Sequence, residues 1–221
     1  MKLTIDNREI KTENGETILQ AARKNGIAIP TLCYHAALEP YAACRLCIVE
    51  LTNAHGKLVA ACAQQCEDGM NVLTNSERVQ AARRVTAELL MASGAHLPTV
   101  QAIAAAAGVE CVRYSLPPND CVLCGLCVRA CDELVGAHAI SLVERWLEKK
   151  FAPPFEITSA ACIGCATCVL ICPTGAIKLS DITPSSQSIH DARTCRLCGE
   201  ASLQNQFADI GALFKEEAQS V

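Results

Sequence analysis

The chain has 221 residues, 51% of them apolar but only 4% aromatic, and 19 Lys and Arg against 23 Asp and Glu give a net charge of −4. That length suits one large domain or two small ones, and a mildly acidic chain without a basic run lacks the electrostatic footprint of a nucleic-acid binder. Sixteen cysteines stand out, an enrichment that comes either from a disulfide framework in a secreted chain or from metal sites in a reducing compartment.

The N-terminus, MKLTIDNREIKTENG, has no apolar segment of the signal-peptide kind, which favours metal sites and a cytoplasmic location. KLTID and REIKT read as two short strands around Asn7, a hairpin signal. GETILQAARKNG reads as a helix, started by Asn14 as its cap and stopped at Asn25-Gly26. LCIVELT, KLVAAC and MNVLT follow as strands. The expectation is a small mixed sheet with one helix packed on it, over residues 1–75.

TNSERVQAARRVTAELLMA opens with a Thr-x-x-Glu capping box at Thr74 and Glu77, and Val79, Ala82, Thr86 and Leu89 keep to one face. Residues 89–109 carry no formal charge, yet Gly94, His96, Pro98 and Gln101 argue for a soluble helix–turn–helix rather than a membrane span. Residues 76–115 thus form a helical connector. In the next segment, 116–182, HAISLVERW and KKFAPPF form a hairpin between two copies of one motif, CVLCGLCVRAC and CIGCATCVLIC. The tail, 183–221, starts in the turn-rich DITPSSQS and carries one C-x2-C.

The repeat is the most specific signal. Cys121, Cys124, Cys127 and Cys131 are spaced C-x2-C-x2-C-x3-C; Cys162, Cys165, Cys168 and Cys172 repeat the spacing, and Pro173 follows. This is the bacterial ferredoxin run for [4Fe–4S] clusters, whose fourth cysteine ligates the cluster of the other loop. One cluster is therefore assigned to Cys121, Cys124, Cys127 and Cys172, the other to Cys162, Cys165, Cys168 and Cys131. Gly125 and Gly164 let backbone amides approach the sulfides. Structural zinc is the competing reading, but zinc sites show paired C-x2-C knuckles rather than a triplet plus one.

Cys33, Cys44, Cys47 and Cys62, spaced C-x10-C-x2-C-x14-C, suit a [2Fe–2S] cluster on a small strand-rich domain. The spacing is not the plant-type C-x4-C-x2-C, and a zinc site would want a second C-x2-C pair. Arg45, between Cys44 and Cys47, has two readings: a donor close to the cluster sulfurs, or a surface arginine paired with a carboxylate. Cys66 and Cys111 stand alone and are expected to be buried free thiols. Cys195 and Cys198 make half a site for zinc or a further cluster, to be completed by Cys66, Cys111, His190 or a partner subunit; the alternative is a plain reduced pair.

IPTLCYH, ACRLCIVEL, EDGMNVLTNSERVQAAR, CVLCGLCVRACDELVGAHAI and CIGCATCVLICPTGAI together resemble the N-terminal part of the large iron–sulfur subunit of respiratory complex I. The same module occurs in the small diaphorase subunit of NAD-reducing hydrogenases, in NAD-dependent formate dehydrogenases and in iron-only hydrogenases. The resemblance covers about residues 1–180. It implies an α+β architecture: a β-grasp [2Fe–2S] ferredoxin domain, a helical connector and a bacterial-type 2[4Fe–4S] ferredoxin domain.

The chain departs from that family in three places. The family usually carries a His-Cys-Cys-Cys cluster in the connector; here His96 stands near the histidine position, but no cysteine follows until Cys111. That cluster is expected to be absent, which lengthens the relay, changes the domain packing or gives the [2Fe–2S] centre another partner. Ala43 precedes Cys44 where the family commonly has a glycine one or two residues before that cysteine, a minor change that keeps a small side chain. The third departure is the tail pair Cys195 and Cys198.

The sequence holds no G-x-G-x-x-G, phosphate loop or nucleophile elbow. The function expected is therefore single-electron relay, by a subunit sitting between a flavoprotein that handles NAD(P)H and a catalytic hydrogenase or formate dehydrogenase, electron-bifurcating assemblies included. Two alternatives remain: a succinate dehydrogenase or fumarate reductase iron–sulfur subunit, which should show the plant-type spacing, and a zinc-stabilised scaffold.

Overall fold

The structure is a computed structural model that describes residues 1–153, 159–178 and 181. Met1–Tyr34 and Glu39–Asn119 form one compact unit, and the described residues from Asp120 onward, with His35–Leu38, form a second.

In the first unit β1 (Lys2–Ile5) and β2 (Arg8–Lys11) pair antiparallel. Their two-residue turn, Asp6-Asn7, has both residues left-handed, at φ 47° and 65°, the geometry that matches the right-handed twist of a hairpin. Helix α1 (Ile18–Lys24) follows, and after the loop that carries Cys33, Cys44 and Cys47 come β3 (Ile48–Leu51), β4 (Lys57–Ala60) and β5 (Asn71–Leu73). The sheet order is β2-β1-β5-β3-β4, with β1 and β5 parallel and the other pairs antiparallel. Ile18, Leu19, Ala21 and Ala22 of α1 are buried in the same core as Leu3, Ile5, Val49 and Val72 of the sheet. Burial of each large side chain contributes about 1.5–3 kcal/mol.

The helix starts differ from the sequence expectation. Thr17, not Asn14, caps α1: its Oγ1 accepts the N–H of Gln20 at 3.3 Å, and its own N–H donates to Gln20 Oε1 at 2.9 Å. Asn14 is exposed in the preceding turn. Helix α2 (Glu77–Gly94) is capped by Ser76, whose Oγ accepts from Val79 N–H at 3.3 Å. Thr74 is drawn away from the cap because its N–H and hydroxyl both donate to the Asp6 carboxylate. Of the stripe proposed for α2, Val79 is buried but Leu89 is 53% exposed; the buried face runs instead through Val79, Ala87, Glu88 and Ala92.

Helix α2 is fastened to the sheet by polar contacts. Glu50, on β3, accepts from the hydroxyl of Ser76 and from Arg78 Nη1 at 2.9 Å. These donors hold the Glu50 carboxyl below its ordinary range, the Ser76 hydroxyl most of all. Arg78 also donates to the carbonyl of Gly56, which is left-handed at φ 70°; a Cβ there would run into Arg78 and Glu50. Helix α3 (Pro98–Ala106) packs back on α2. The segment after it is pinned by Arg113, whose guanidinium and N–H donate to buried Glu88 and hold that carboxyl at about 2.

In the second unit α4 (Leu126–Arg129) passes into a π-helical turn over Ala130–Val135, and β6 (Ser141–Val143) pairs antiparallel with β7 (Lys150–Ala152). Helix α5 (Thr167–Leu170) belongs to the second copy of the motif.

Because Ser76 both caps α2 and bonds Glu50, Ser76→Ala should lower the thermal unfolding midpoint of the anaerobic protein, a cost of about 1–2 kcal/mol. Asn14→Ala should leave it within about 0.5 kcal/mol of the parent.

Candidate iron–sulfur sites

The first thiol set closes where the loop after α1 meets the ends of β3 and β4. Cys33, Cys47 and Cys62 are buried and Cys44 is half-buried. The side chains of Cys33 and Cys44 hydrogen-bond, as do those of Cys47 and Cys62, and the two pairs lie within electrostatic reach of each other. The bond from Cys33 brings the Cys44 thiol down to about 6, and the bond from Cys62 brings Cys47 down to about 7. Their partners Cys33 and Cys62 move upward. The Cys44 N–H donates to Cys33 Sγ at 3.4 Å. A buried four-sulfur set with backbone donors is what a cluster needs from its protein, because the donors stabilise charge on sulfur.

In the second unit the two motif copies exchange their last cysteines. Cys172 lies within electrostatic reach of Cys121, Cys124 and Cys127, and all four line one cavity with Leu142 of β6 and Phe151 of β7. Cys131 lies in the same way against Cys162, Cys165 and Cys168, beside an apolar cluster of Val135, Ala137 and Ala139. The π-helical turn carries Cys131 and leads the chain back so that the Ala139 N–H donates to Cys131 Sγ at 3.3 Å; π-turns recur at functional sites.

Burial raises most of these thiols, Cys124 to about 11 and Cys127 and Cys168 to about 12. Cys172 goes the other way: burial opposes, but the Thr174 hydroxyl and the backbone donors of Thr174, Ile177 and Ala176 outweigh it. Further donors to sulfur are Leu123 N–H on Cys121 at 3.4 Å and Thr167 Oγ1 on Cys165 at 3.3 Å.

Residues 1–77 match the family model of a 2Fe-2S iron-sulfur cluster binding domain, and residues 120–176 that of a 4Fe-4S dicluster domain. An NAD+-reducing [NiFe]-hydrogenase crystal structure contains a chain 31% identical to this one, with a TM-score of 0.60 over 69% of this chain and 74% of that one. This chain belongs to the complex I-type iron–sulfur subunit family. It carries a [2Fe–2S] domain followed by a two-cluster [4Fe–4S] domain, and its chemistry is electron transfer.

Relatives in the family include a subunit of the NADH-quinone oxidoreductase of Rhizobium meliloti, 34% identical over 80% of this chain and 24% of that protein. The alpha subunit of the NADPH-Fe(3+) oxidoreductase of Geobacter sulfurreducens is 32% identical over 80% and 24%. The HndD subunit of the NADP-reducing hydrogenase of Solidesulfovibrio fructosivorans is 33% identical over 80% and 36%. The chain thus spans about a quarter to a third of the length of these curated relatives.

Among the other residues of this complex I-type chain singled out in the sequence, Cys111 departs from the expectation. Cys66 is buried and its thiol is pushed up to about 11 by burial, but Cys111 is exposed rather than buried. Arg45 is exposed and left-handed at φ 59°. His96 is exposed at the turn between α2 and α3. Cys195, Cys198 and His190 lie outside the described residues.

The loops share a backbone device that the sequence half-concealed. In each [4Fe–4S] motif the residues on both sides of the middle cysteine are left-handed: Leu123 and Gly125 around Cys124, Gly164 and Ala166 around Cys165. Each copy keeps a glycine at only one of these positions, and not the same one. In the first unit Ala42 (φ 56°) and Arg45 are left-handed near Cys44, so Ala42 sits where a Cβ costs about 1–2 kcal/mol.

Ala42→Gly should therefore raise the unfolding midpoint, a gain of about 0.5–1 kcal/mol after the added chain entropy. Gly125→Val puts a β-branched residue in the left-handed region, and iron per chain should fall by about four as one [4Fe–4S] site fails.

Proposed function

We propose that this chain relays single electrons within a multi-subunit oxidoreductase, between a flavoprotein subunit that oxidises or reduces NAD(P)H and a catalytic subunit of hydrogenase or formate dehydrogenase type, bifurcating assemblies included. The observation that carries the reading is the sorting of twelve cysteines into three sets of four with amide or hydroxyl donors on sulfur. In this reading Cys33, Cys44, Cys47 and Cys62 hold the [2Fe–2S] cluster. Cys121, Cys124, Cys127 and Cys172 hold one [4Fe–4S] cluster, and Cys162, Cys165, Cys168 and Cys131 the other. The clusters, when bound, supply one-electron acceptors; the chain supplies thiolates, donors that tune them, and apolar side chains such as Leu142 and Phe151 that keep water off.

The partner assignment is supported by the pyridine-nucleotide link in the names of the relatives. A cytoplasmic location fits thiolate centres, which need a reducing compartment. No helix among the described residues is long and apolar enough to cross a membrane.

The anaerobically purified chain should bind about ten irons and, reduced with dithionite, give EPR signals of two cluster types. Cys131→Ser should remove the cluster of the Cys162 loop and spare that of the Cys121 loop. Bound zinc without an EPR signal would overturn the reading, and loss of the Cys121-loop cluster in Cys131→Ser would overturn the ligand exchange.

A further inference from the structure

Outside the three thiol sets, one side chain of the connector bonds the backbone on both sides of a cysteine of the first set. Arg83 lies near the middle of α2 and is half-buried, on the face of Val79 and Ala87, four residues away on either side and both buried. Its Nε donates to the carbonyl of Leu46 at 3.0 Å and its Nη2 to the carbonyl of Ile48 at 2.8 Å. Those carbonyls belong to the residues on either side of Cys47, itself only 1% exposed. A planar guanidinium with donors in a fixed fork is the group that can brace two carbonyls at once. Partial desolvation lowers its pKa, opposed by the nearby charges of Cys47 and Asp6, but a guanidinium so placed keeps its charge.

We propose that Arg83 positions Cys47 and sets the potential of the [2Fe–2S] centre, by fixing the backbone on both sides of that ligand and by supplying a fixed positive charge beside it. The proposal rests on the ligand set assigned above. Reduction of the centre adds one electron and makes or breaks no bond, so the site gains one negative charge. A half-buried cation bonded to the backbone on both sides of a ligand favours the more negative state, and the shielding protein weakens that interaction less than water would. Arg45, although it lies between two ligands in the sequence, is exposed, so its charge is screened by solvent.

The test is an EPR-monitored redox titration of the full chain under anaerobic conditions, combined with the rate of iron loss to a chelator. In Arg83→Gln the reduced-to-oxidised ratio of the [2Fe–2S] signal at a fixed potential should fall about tenfold, equivalent to about 59 mV for a one-electron couple. Arg84→Gln removes the same charge from the exposed neighbouring position and should stay within about twofold of the parent. Arg83→Lys keeps the charge but cannot brace both carbonyls; its ratio should stay within about threefold of the parent while iron loss becomes several-fold faster.

An unmoved ratio in Arg83→Gln, or an equal shift in Arg84→Gln, would overturn the role in potential. Iron loss at the parent rate in Arg83→Lys would overturn the positioning role, and that measurement decides alone if Arg83→Gln fails to retain the centre. A parent chain with no [2Fe–2S] signal would instead defeat the ligand assignment.

Discussion

The constraint on which this chain turns is the burial of charge on sulfur. A cluster site needs thiolates, and burial alone drives a thiol toward its neutral form, as it does at Cys124, Cys127 and Cys168. The pockets must exclude water and still offer each sulfur something better than apolar surroundings. Backbone N–H groups are the means available, because they bring partial positive charge without a titratable side chain. To aim them inward the loops turn left-handed at several places, around Cys124 and Cys165 and near Cys44. Where those positions lack glycine, as at Leu123, Ala166, Ala42 and Arg45, the local backbone cost is carried by the surrounding fold.

The first unit shows how the scaffold meets this demand. Its sheet is ordinary, with α1 covering one face and Ile5, Ile18, Val49 and Val72 in a common core. The unusual part is the polar fastening of α2. Ser76, Arg78 and Arg83 reach from that helix to β3 and to the backbone beside Cys47. The connector is thereby fastened to the first sheet and, through Arg83, to the backbone on both sides of Cys47.

Much of this was legible in the sequence, for a physical reason. Cysteine spacing is read directly, and the ferredoxin run carries its own rule for the fourth cysteine, so the three sets could be sorted on the sequence as the structure groups their thiols. Strand and helix existence followed from periodicity, as with KLTID and REIKT around the Asp6-Asn7 turn. What escaped was whatever depends on competition between neighbours. Asn14 and Thr74 both looked like caps, but Thr17 and Ser76 do the capping, because Thr74 is taken by Asp6 across the sheet. Leu89 fitted an apolar stripe whose real centre lies at Ala87 and Glu88. Arg83 gave no signal beyond being a cation on the Val79 face of α2; its two carbonyl acceptors lie more than thirty residues away in sequence. Arg45 is adjacent to Cys44 in sequence, yet Arg83 is the arginine that the fold brings to the backbone beside Cys47.

The repeat in the second unit is equal in spacing and unequal in chemistry. Thr167 donates to Cys165, while the equivalent position in the first copy is Leu126, which is buried and has no donor. Conversely, Cys172 sits among the donors of Thr174, Ala176 and Ile177 after Pro173, whereas its counterpart Cys131 rides a π-helical turn and takes its N–H from Ala139. Because the last cysteines are exchanged, the donors around Cys172 act on the set of the first loop, and those around Cys131 on the set of the second. Each site therefore combines the loop of one copy with the helix end of the other. Hydrogen bonds to sulfur stabilise the reduced state of a cluster, so the two centres need not share one potential although their loops share one spacing. Duplication supplied the geometry, and the divergence at positions 126 and 167, and after Cys131 and Cys172, makes the pair asymmetric.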